Sequence, residues 1–368
     1  MSAAPADANT RSLSLHPDDA PLRSPTVPAA IDEERVTRWL EATVDGAVAP
    51  FSFDLIAGGR SNLTFTVTGA DAHRVVLRRP PLGHVLESAH DMAREHRIIS
   101  AVGRTDVPVP VALGLCTDLD VNGAPFYVMS HVQGVVLDGP HKAPLVPMER
   151  RLGVSEHLVD VLADLHDVDV DAVGLGDLAR RESYVERQLR RWTRQWENSK
   201  TRQLPAIDEV ATRLAARIPA QQGVAIAHGD YRFGNCLTDV AAGRIAAVLD
   251  WELCTLGDPL ADVGYLGVCW TDPGETATRH NDPSGAEGFP TFAELLERYA
   301  TRTGRDVSAI DYYVAFSSWR LAVISEGVYA RYLHGAMGEQ GIGPDELEVF
   351  KQGTEQLAES ALDAARRL

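Results

Sequence analysis

The apolar residues of this chain pass from a mostly alternating to a mostly helical period, and that change limits the folds open to it more than any other feature. In the first third they alternate in short runs. "FTVTGADAHRVVLRR" predicts two strands joined by a turn at Gly69 to Ala72, and "APFYVMSHVQG" predicts a further extended run ending at Gly134. Beyond it the pattern is helical, most clearly in "HLVDVLADLHDV", where Leu158, Val161, Leu162 and Leu165 recur at i, i+3, i+4 and i+7. Two helical stretches interrupt the first part. One runs from Ile31 through Val36, Trp39 and Leu40, with Asp32 and Glu33 near its start; the other, "ESAHDMAREHRIISAV", follows the Pro80-Pro81 break. A strand-rich first third joined to a helix-rich remainder predicts an α+β chain of two lobes with a cleft between them.

The 368 residues exceed one average domain, in keeping with a bilobal molecule. The expected division is a disordered tail over 1–30, rich in Pro, Ala, Ser and Asp, an antiparallel-sheet N-lobe over 31–132 and a mostly helical C-lobe over 133–368. Residues 271–290 read as a polar loop between helical regions, and no internal repeat is visible. With 52 acidic against 35 basic side chains the net charge is -17, which argues against nucleic acid and against an anionic membrane surface as partners. Cationic small molecules stay open, as does an acidic surface that only maintains solubility. The four cysteines form no CxxC pair, no secretion signal precedes them and no run is long and apolar enough to span a membrane, so a soluble, cytoplasmic protein with reduced thiols is expected.

The octet "HGDYRFGN" (228–235) and the downstream "GRIAAVLDWE" carry the densest polar chemistry. If the two segments pair across a turn centred between Ala242 and Gly243, Asn235 faces Asp250, close enough for an amide oxygen and a carboxylate to share one hard cation. Mg²⁺ suits such a pair, because it takes only one or two protein ligands and leaves the rest to water and phosphate oxygens. Asp230 stands on the loop before the hairpin, where it could accept a proton from an attacking hydroxyl. Phosphoryl transfer needs this equipment, although a lone Asp or Asn more often serves a turn.

"HGDYRFGN" followed by "VLDWE" resembles the aminoglycoside phosphotransferase and choline kinase group within the protein-kinase-like fold, whose pattern is HGDxxxxN and then a strand ending in Asp. The resemblance extends more weakly from about Val36 to about Arg331. It implies a bilobal protein-kinase-like fold, ATP and Mg²⁺ as cofactors, Asp230 as catalytic base, and Asn235 with Asp250 as metal ligands. His228, Gly229 and Trp251 match the motif as supports of the loop.

Such a site also needs a phosphate-covering turn, a cation for the phosphates and a carboxylate to hold that cation. "AGGRSNLTF" offers Gly58, Gly59, Ser61 and Asn62 for the turn. Alternation places Val76 and Arg78 on one face, Val76 under the adenine and Arg78 toward the phosphates, and turns Arg79 away. Arg78 departs from the Lys usual in the family; it grips phosphate bidentately but is bulkier. Glu95 falls where the family's helix carries the pairing carboxylate, and the main chain of Met129, Ser130 and His131 would meet adenine. Asp258, with Pro259 after it, and Asp262 read as structural, as does His166; His84, His90 and His96 lack metal spacing.

The acceptor would be a small molecule with a hydroxyl, met by "FSSWRLAVISEGVYARYLHG". Arg320 and Arg331 there suit an anionic acceptor such as a hydroxyacyl thioester of coenzyme A better than an aminoglycoside. Arg at the position of Arg78 also resembles the phosphotransferase domains that accompany acyl-CoA dehydrogenases, although no flavin-binding dehydrogenase domain is apparent. The alternative is a non-catalytic nucleotide-binding pseudokinase, for which Arg78 is the sequence support. The oligomeric state is not legible.

Overall fold

The computed structural model describes residues 30–57, 62–82, 91–275, 283–334 and 343–368. Gly58, Gly59, Ser61, His84, His90 and nearly all of the expected tail lie outside these residues.

The alternating runs form one five-stranded antiparallel sheet in the order β1 (Ser52–Ala57), β2 (Leu63–Thr68), β3 (Arg74–Arg79), β5 (Phe126–Ser130), β4 (Ala112–Cys116). The predicted β2–β3 hairpin is present, with its turn closed by Ala72 N–H donating to the Gly69 carbonyl. One sheet face packs on helix α1 (Glu33–Thr43), whose first turn Asp32 caps by accepting from the Arg35 N–H, as the acidic start of the segment suggests. Val36 and Leu40 of α1 meet Phe65, Val75, Leu77 and Phe126 in a core of their own. Each such side chain withdrawn from water contributes roughly 1.5 to 3 kcal/mol. Strand alternation sends Val76 and Arg78 to the opposite face. Arg79, on the α1 side, is buried and donates to the carbonyls of Ala30 and Asn122.

Helix α2 (Met92–Val102) crosses that second face, capped by Asp91, which accepts from the Arg94 N–H at 2.9 Å. After β5 and the short α3 (Leu119–Asn122), which precedes it in sequence, the chain becomes helical: α4 (Met148–Asp167), α5 (Tyr184–Ser199), α6 (Pro205–Ala216), α7 (Leu260–Cys269), α8 (Phe292–Thr303), α9 (Ile310–Leu333) and α10 (Pro344–Arg366). Leu158, Val161, Leu162 and Leu165 of α4 are all buried, so the helical periodicity marks the core face. The molecule is thus α+β, an antiparallel sheet against a helical half, and the larger core runs continuously from Val76 and Met129 of the sheet into the helices.

The hairpin that carries the polar motif corrects the sequence reading. β8 (Cys236–Asp239) and β9 (Arg244–Val248) do pair antiparallel, with β6 (Val135–Val136) on the other side of β8. The turn is centred earlier than expected, since Asp239 pairs with Arg244, and a bulge then shifts the register between Leu237 and Thr238. Asn235 therefore lies opposite Leu249, whose N–H donates to its carbonyl at 2.8 Å, and Asp250 sits one residue beyond. Short strands β7 (Ala225–Ala227) and β10 (Thr255–Gly257), absent from the sequence pattern, pair with each other and bracket the motif.

Candidate active site

The loop between β7 and β8 is held from three sides. His228 is fully buried, donates from Nε2 to the Leu249 carbonyl at 2.8 Å and accepts the Asp230 N–H on Nδ1, while its ring meets Trp251 edge-on at 4.9 Å. Gly229 takes φ +87°, and a side chain there would press on the Leu253 carbonyl. From below, Asp262 of α7 accepts the N–H groups of His228 at 2.6 Å and Gly229 at 2.8 Å, and His166 sits 3.3 Å from the same carboxylate. Burial opposes the Asp262 charge, but the His166 hydrogen bond, the two imidazoles and the Gly229 N–H outweigh it and hold its pKa below the ordinary value. Asp258 accepts from Leu260 N–H and Tyr313 Oη, one residue ahead of the Pro259 cap of α7. Asp258, Asp262 and His166 are thus structural, as their sequence context suggests.

Asp230 is the partly exposed carboxylate of this loop. The Asn235 amide donates to both its carbonyl and its Oδ2 at 2.7 Å, so the Asn235 oxygen faces the other way. Tyr265 lies beneath; burial pushes its phenol well up, and the charge of Asp230 with a hydrogen bond to it pushes further.

Past β9, Asp250 turns through the left-handed region at φ +62° and presents Oδ1 to Arg78 Nη2 at 2.6 Å. Arg78 also meets Glu95 at 3.1 Å and Glu252 at 3.7 Å. Burial works against the guanidinium's charge, but these three carboxylates, Asp250 foremost, raise its pKa above the usual value. Glu95 is almost wholly buried and accepts from Asn62 at 3.0 Å and Tyr127 at 3.1 Å; burial raises its pKa in spite of Arg78. Glu252 and Tyr127 were not singled out in the sequence, and Asn62, expected in the phosphate-covering turn, holds Glu95 instead. Of the first two, only Glu252 has a signal there, as the acidic residue two after Asp250.

One cavity of about 680 Å³ joins these groups. The sheet contributes Val76, Arg78 and Met129, followed by Ser130 and His131; the motif contributes Asn235 and Asp250. Asp230 is placed at its edge through Asn235, and Asn62 and Glu95 behind Arg78. Among the described residues no group of three or more His, Cys, Asp and Glu is placed to hold a metal ion, and no helix is long and apolar enough to cross a membrane. Arg320 is buried beside Gly229, whereas Arg331 is exposed near the end of α9.

Comparison with known proteins gives this geometry its relatives. Residues 52–306 match the "Phosphotransferase enzyme family". Among curated proteins, mouse acyl-CoA dehydrogenase family member 10 is 33% identical over 95% of this chain and 32% of its own length. The probable acyl-CoA dehydrogenase IBR3 of Arabidopsis thaliana is 35% identical over 90% of this chain and 42% of its own. The chain therefore spans about a third to two fifths of these relatives. A solved Ralstonia eutropha structure, provisionally described as an aminoglycoside phosphotransferase, is 33% identical and superposes with a TM-score of 0.77 over 91% of this chain and 98% of that one. Choline kinase from Cryptosporidium parvum shares the fold at 12% identity, TM-score 0.62, over 92% and 96% of the two chains. The chain belongs to the phosphotransferase enzyme family.

Proposed function

We propose that the protein transfers the γ-phosphoryl group of ATP to a hydroxyl of a small molecule, using Mg²⁺. The observation that carries this reading is the convergence of Arg78, Asn235 and Asp250 on one cavity, with Asp230 fixed at its edge by the Asn235 amide. Val76 and Met129 supply an apolar wall for a base, and the main chain from Met129 to His131 its polar edge. In this reading Gly58, Gly59 and Ser61, outside the described residues, keep the phosphate-covering role expected from the sequence, and Asn62 donates to Glu95 at 3.0 Å.

The donor set fits a hard cation. Both Asn235 hydrogen bonds go to Asp230, which leaves the amide oxygen, and Asp250 keeps Oδ2 beside the oxygen that Arg78 holds. Asn235 and Asp250 would hold Mg²⁺, which neutralises charge on the β and γ phosphates when bound. Arg78, oriented by Glu95, grips phosphate oxygens. The acceptor hydroxyl oxygen bonds to the γ phosphorus, its proton passes to Asp230, and the β–γ bridging bond breaks with its electron pair left on ADP.

A specific contact favours the rival, a nucleotide-binding protein without catalysis: Arg78 occupies an oxygen of Asp250 that a metal ligand would offer. ATP turnover with and without Asp230→Ala, against amino-sugars and hydroxyacyl thioesters, separates the two. Turnover abolished in Asp230→Ala supports the enzyme, and nucleotide binding with no turnover on any acceptor supports the rival.

A further inference from the structure

A second cavity, of about 320 Å³, opens on the other side of Gly229, between the first turn of α2, one face of α5 and the segment after β9. Tyr184, Gln188, Arg191 and Trp192 face it from α5 at i, i+4, i+7 and i+8, a single helix face. Arg94 and Arg320 complete a set of three arginines.

None of the three pairs with a carboxylate among the described residues. Arg94 donates to the Cys254 carbonyl, Arg191 stacks on Trp192 at 5.3 Å, and Arg320 donates from Nη2 to the Gly229 carbonyl at 2.8 Å and lies over the Tyr265 ring at 5.1 Å. Arg320 is only 7% exposed, and its Nε is buried without any partner. The carboxylates of the cavity are engaged elsewhere: Asp91 caps α2, Glu95 serves Arg78, Tyr127 and Asn62, and Glu252 faces Arg78 and Asn62. A buried guanidinium without an anion is costly, and it is conspicuous in a chain of net charge -17.

We infer that this cavity is the acceptor subsite and takes a hydroxylated organic anion, its acidic group held by Arg320 with Arg94 and Arg191 at the mouth. The inference rests on the phosphotransferase reading, because it places the acceptor hydroxyl beside Asp230, the residue that follows Gly229, which lines the cavity and accepts from Arg320. A polycationic amino-sugar meets three like charges here and is disfavoured.

Calorimetric titration with 3-hydroxybutyrate, its uncharged methyl ester and kanamycin tests the charge preference directly. The acid is expected to bind more tightly than the ester and kanamycin. Arg320→Gln and, on the exposed face, Arg191→Ala should each weaken the acid about tenfold, in line with loss of a charge-assisted contact, and leave the ester unchanged. Arg320→Lys should recover part of the loss. Equal binding of acid and ester, tighter binding of kanamycin, no saturable binding of the acid, or acid affinity untouched in Arg191→Ala overturns the inference even where Arg320→Gln fails to fold. Mg-ATP binding is titrated on the same samples. Its absence would sink the phosphotransferase reading, while charge selectivity in the second cavity is read independently.

Discussion

At the scale of single residues, the proposed function gives Asp230 the proton and Asn235 with Asp250 the cation, and substitutions should separate the two roles. Asp230→Asn keeps the shape and the Asn235 contact but loses the basic oxygen, so turnover should fall by about 10²- to 10⁴-fold, the usual worth of a general base, with nucleotide affinity nearly unchanged. Asp250→Asn should instead weaken Mg-nucleotide binding. Titrating both variants with Mg-ATP beside steady-state rates checks the pair, and equal affinity losses would contradict the roles. Asp262 gives a pH-dependent expectation. Its folded pKa lies below the ordinary 3.8, so its contribution to stability is full above that pH and is lost as pH falls through the lowered value. Asp262→Asn should flatten the acid limb of a urea-unfolding series below about pH 4 and cost about 1 to 3 kcal/mol at neutral pH, since one of the two buried N–H groups loses its acceptor. Asp230, Asn235, Asp250 and Arg78 could be picked out in the sequence because each stands at a fixed offset in a motif or on an alternating strand, and Glu95 because the family resemblance puts a carboxylate on that helix. Tyr127 could not, nor could the hold of Asn62 on Glu95, because what recruits both is a buried carboxylate on another element.

Among the elements, what positions the motif is close packing of helices beneath it. α7 carries Asp262 and meets α9 through Gly264, where an added Cβ would stand 2.6 Å from the Tyr313 main chain. Gly264→Ala therefore forces the two helices apart and should destabilise by about 1 to 3 kcal/mol, measured as a lower urea midpoint at constant m-value. A surface feature makes the contrast. α8 lays Arg298 across Asp160 of α4 with two bonds of 2.8 Å and Arg302 beside Asp164, the second pair being the more exposed to solvent. Arg302→Ala should cost no more than about 1 kcal/mol in the same assay, less than Gly264→Ala. Helix α4 was legible because Leu158, Val161, Leu162 and Leu165 keep one helical period, and α1 because its period and its cap agree. The β8–β9 register was not. A bulge adds one unpaired residue without changing composition, and "RIAAVL" reads alike in either register. Three-residue strands such as β7 and β10 are too short for any period to declare them.

Across the whole molecule, Arg78 is the place where the two halves meet. It belongs to β3, its partner Glu95 to α2, and Asp250 and Glu252 to the segment after β9, so one guanidinium ties sheet, crossing helix and motif together. The large cavity is lined from both halves in the same way, by Val76 and Met129 above and Asn235 and Asp250 below. A ligand that fills it contacts both, and its binding energy adds to the stability of their union. Mg-ATP at a hundred times its dissociation constant should stabilise the fold by about 2.7 kcal/mol, seen as a single thermal transition moved upward by several degrees. The Mg²⁺-dependent part should vanish in Asp250→Ala. Arg78→Lys keeps a cation but gives up the fork that reaches Glu95 and Asp250 together, so it should lower the apo midpoint while preserving part of the nucleotide shift. If EDTA leaves the wild-type shift intact, the cation seat is misplaced. If the melt splits and only one phase moves, the cavity does not join the halves through Arg78.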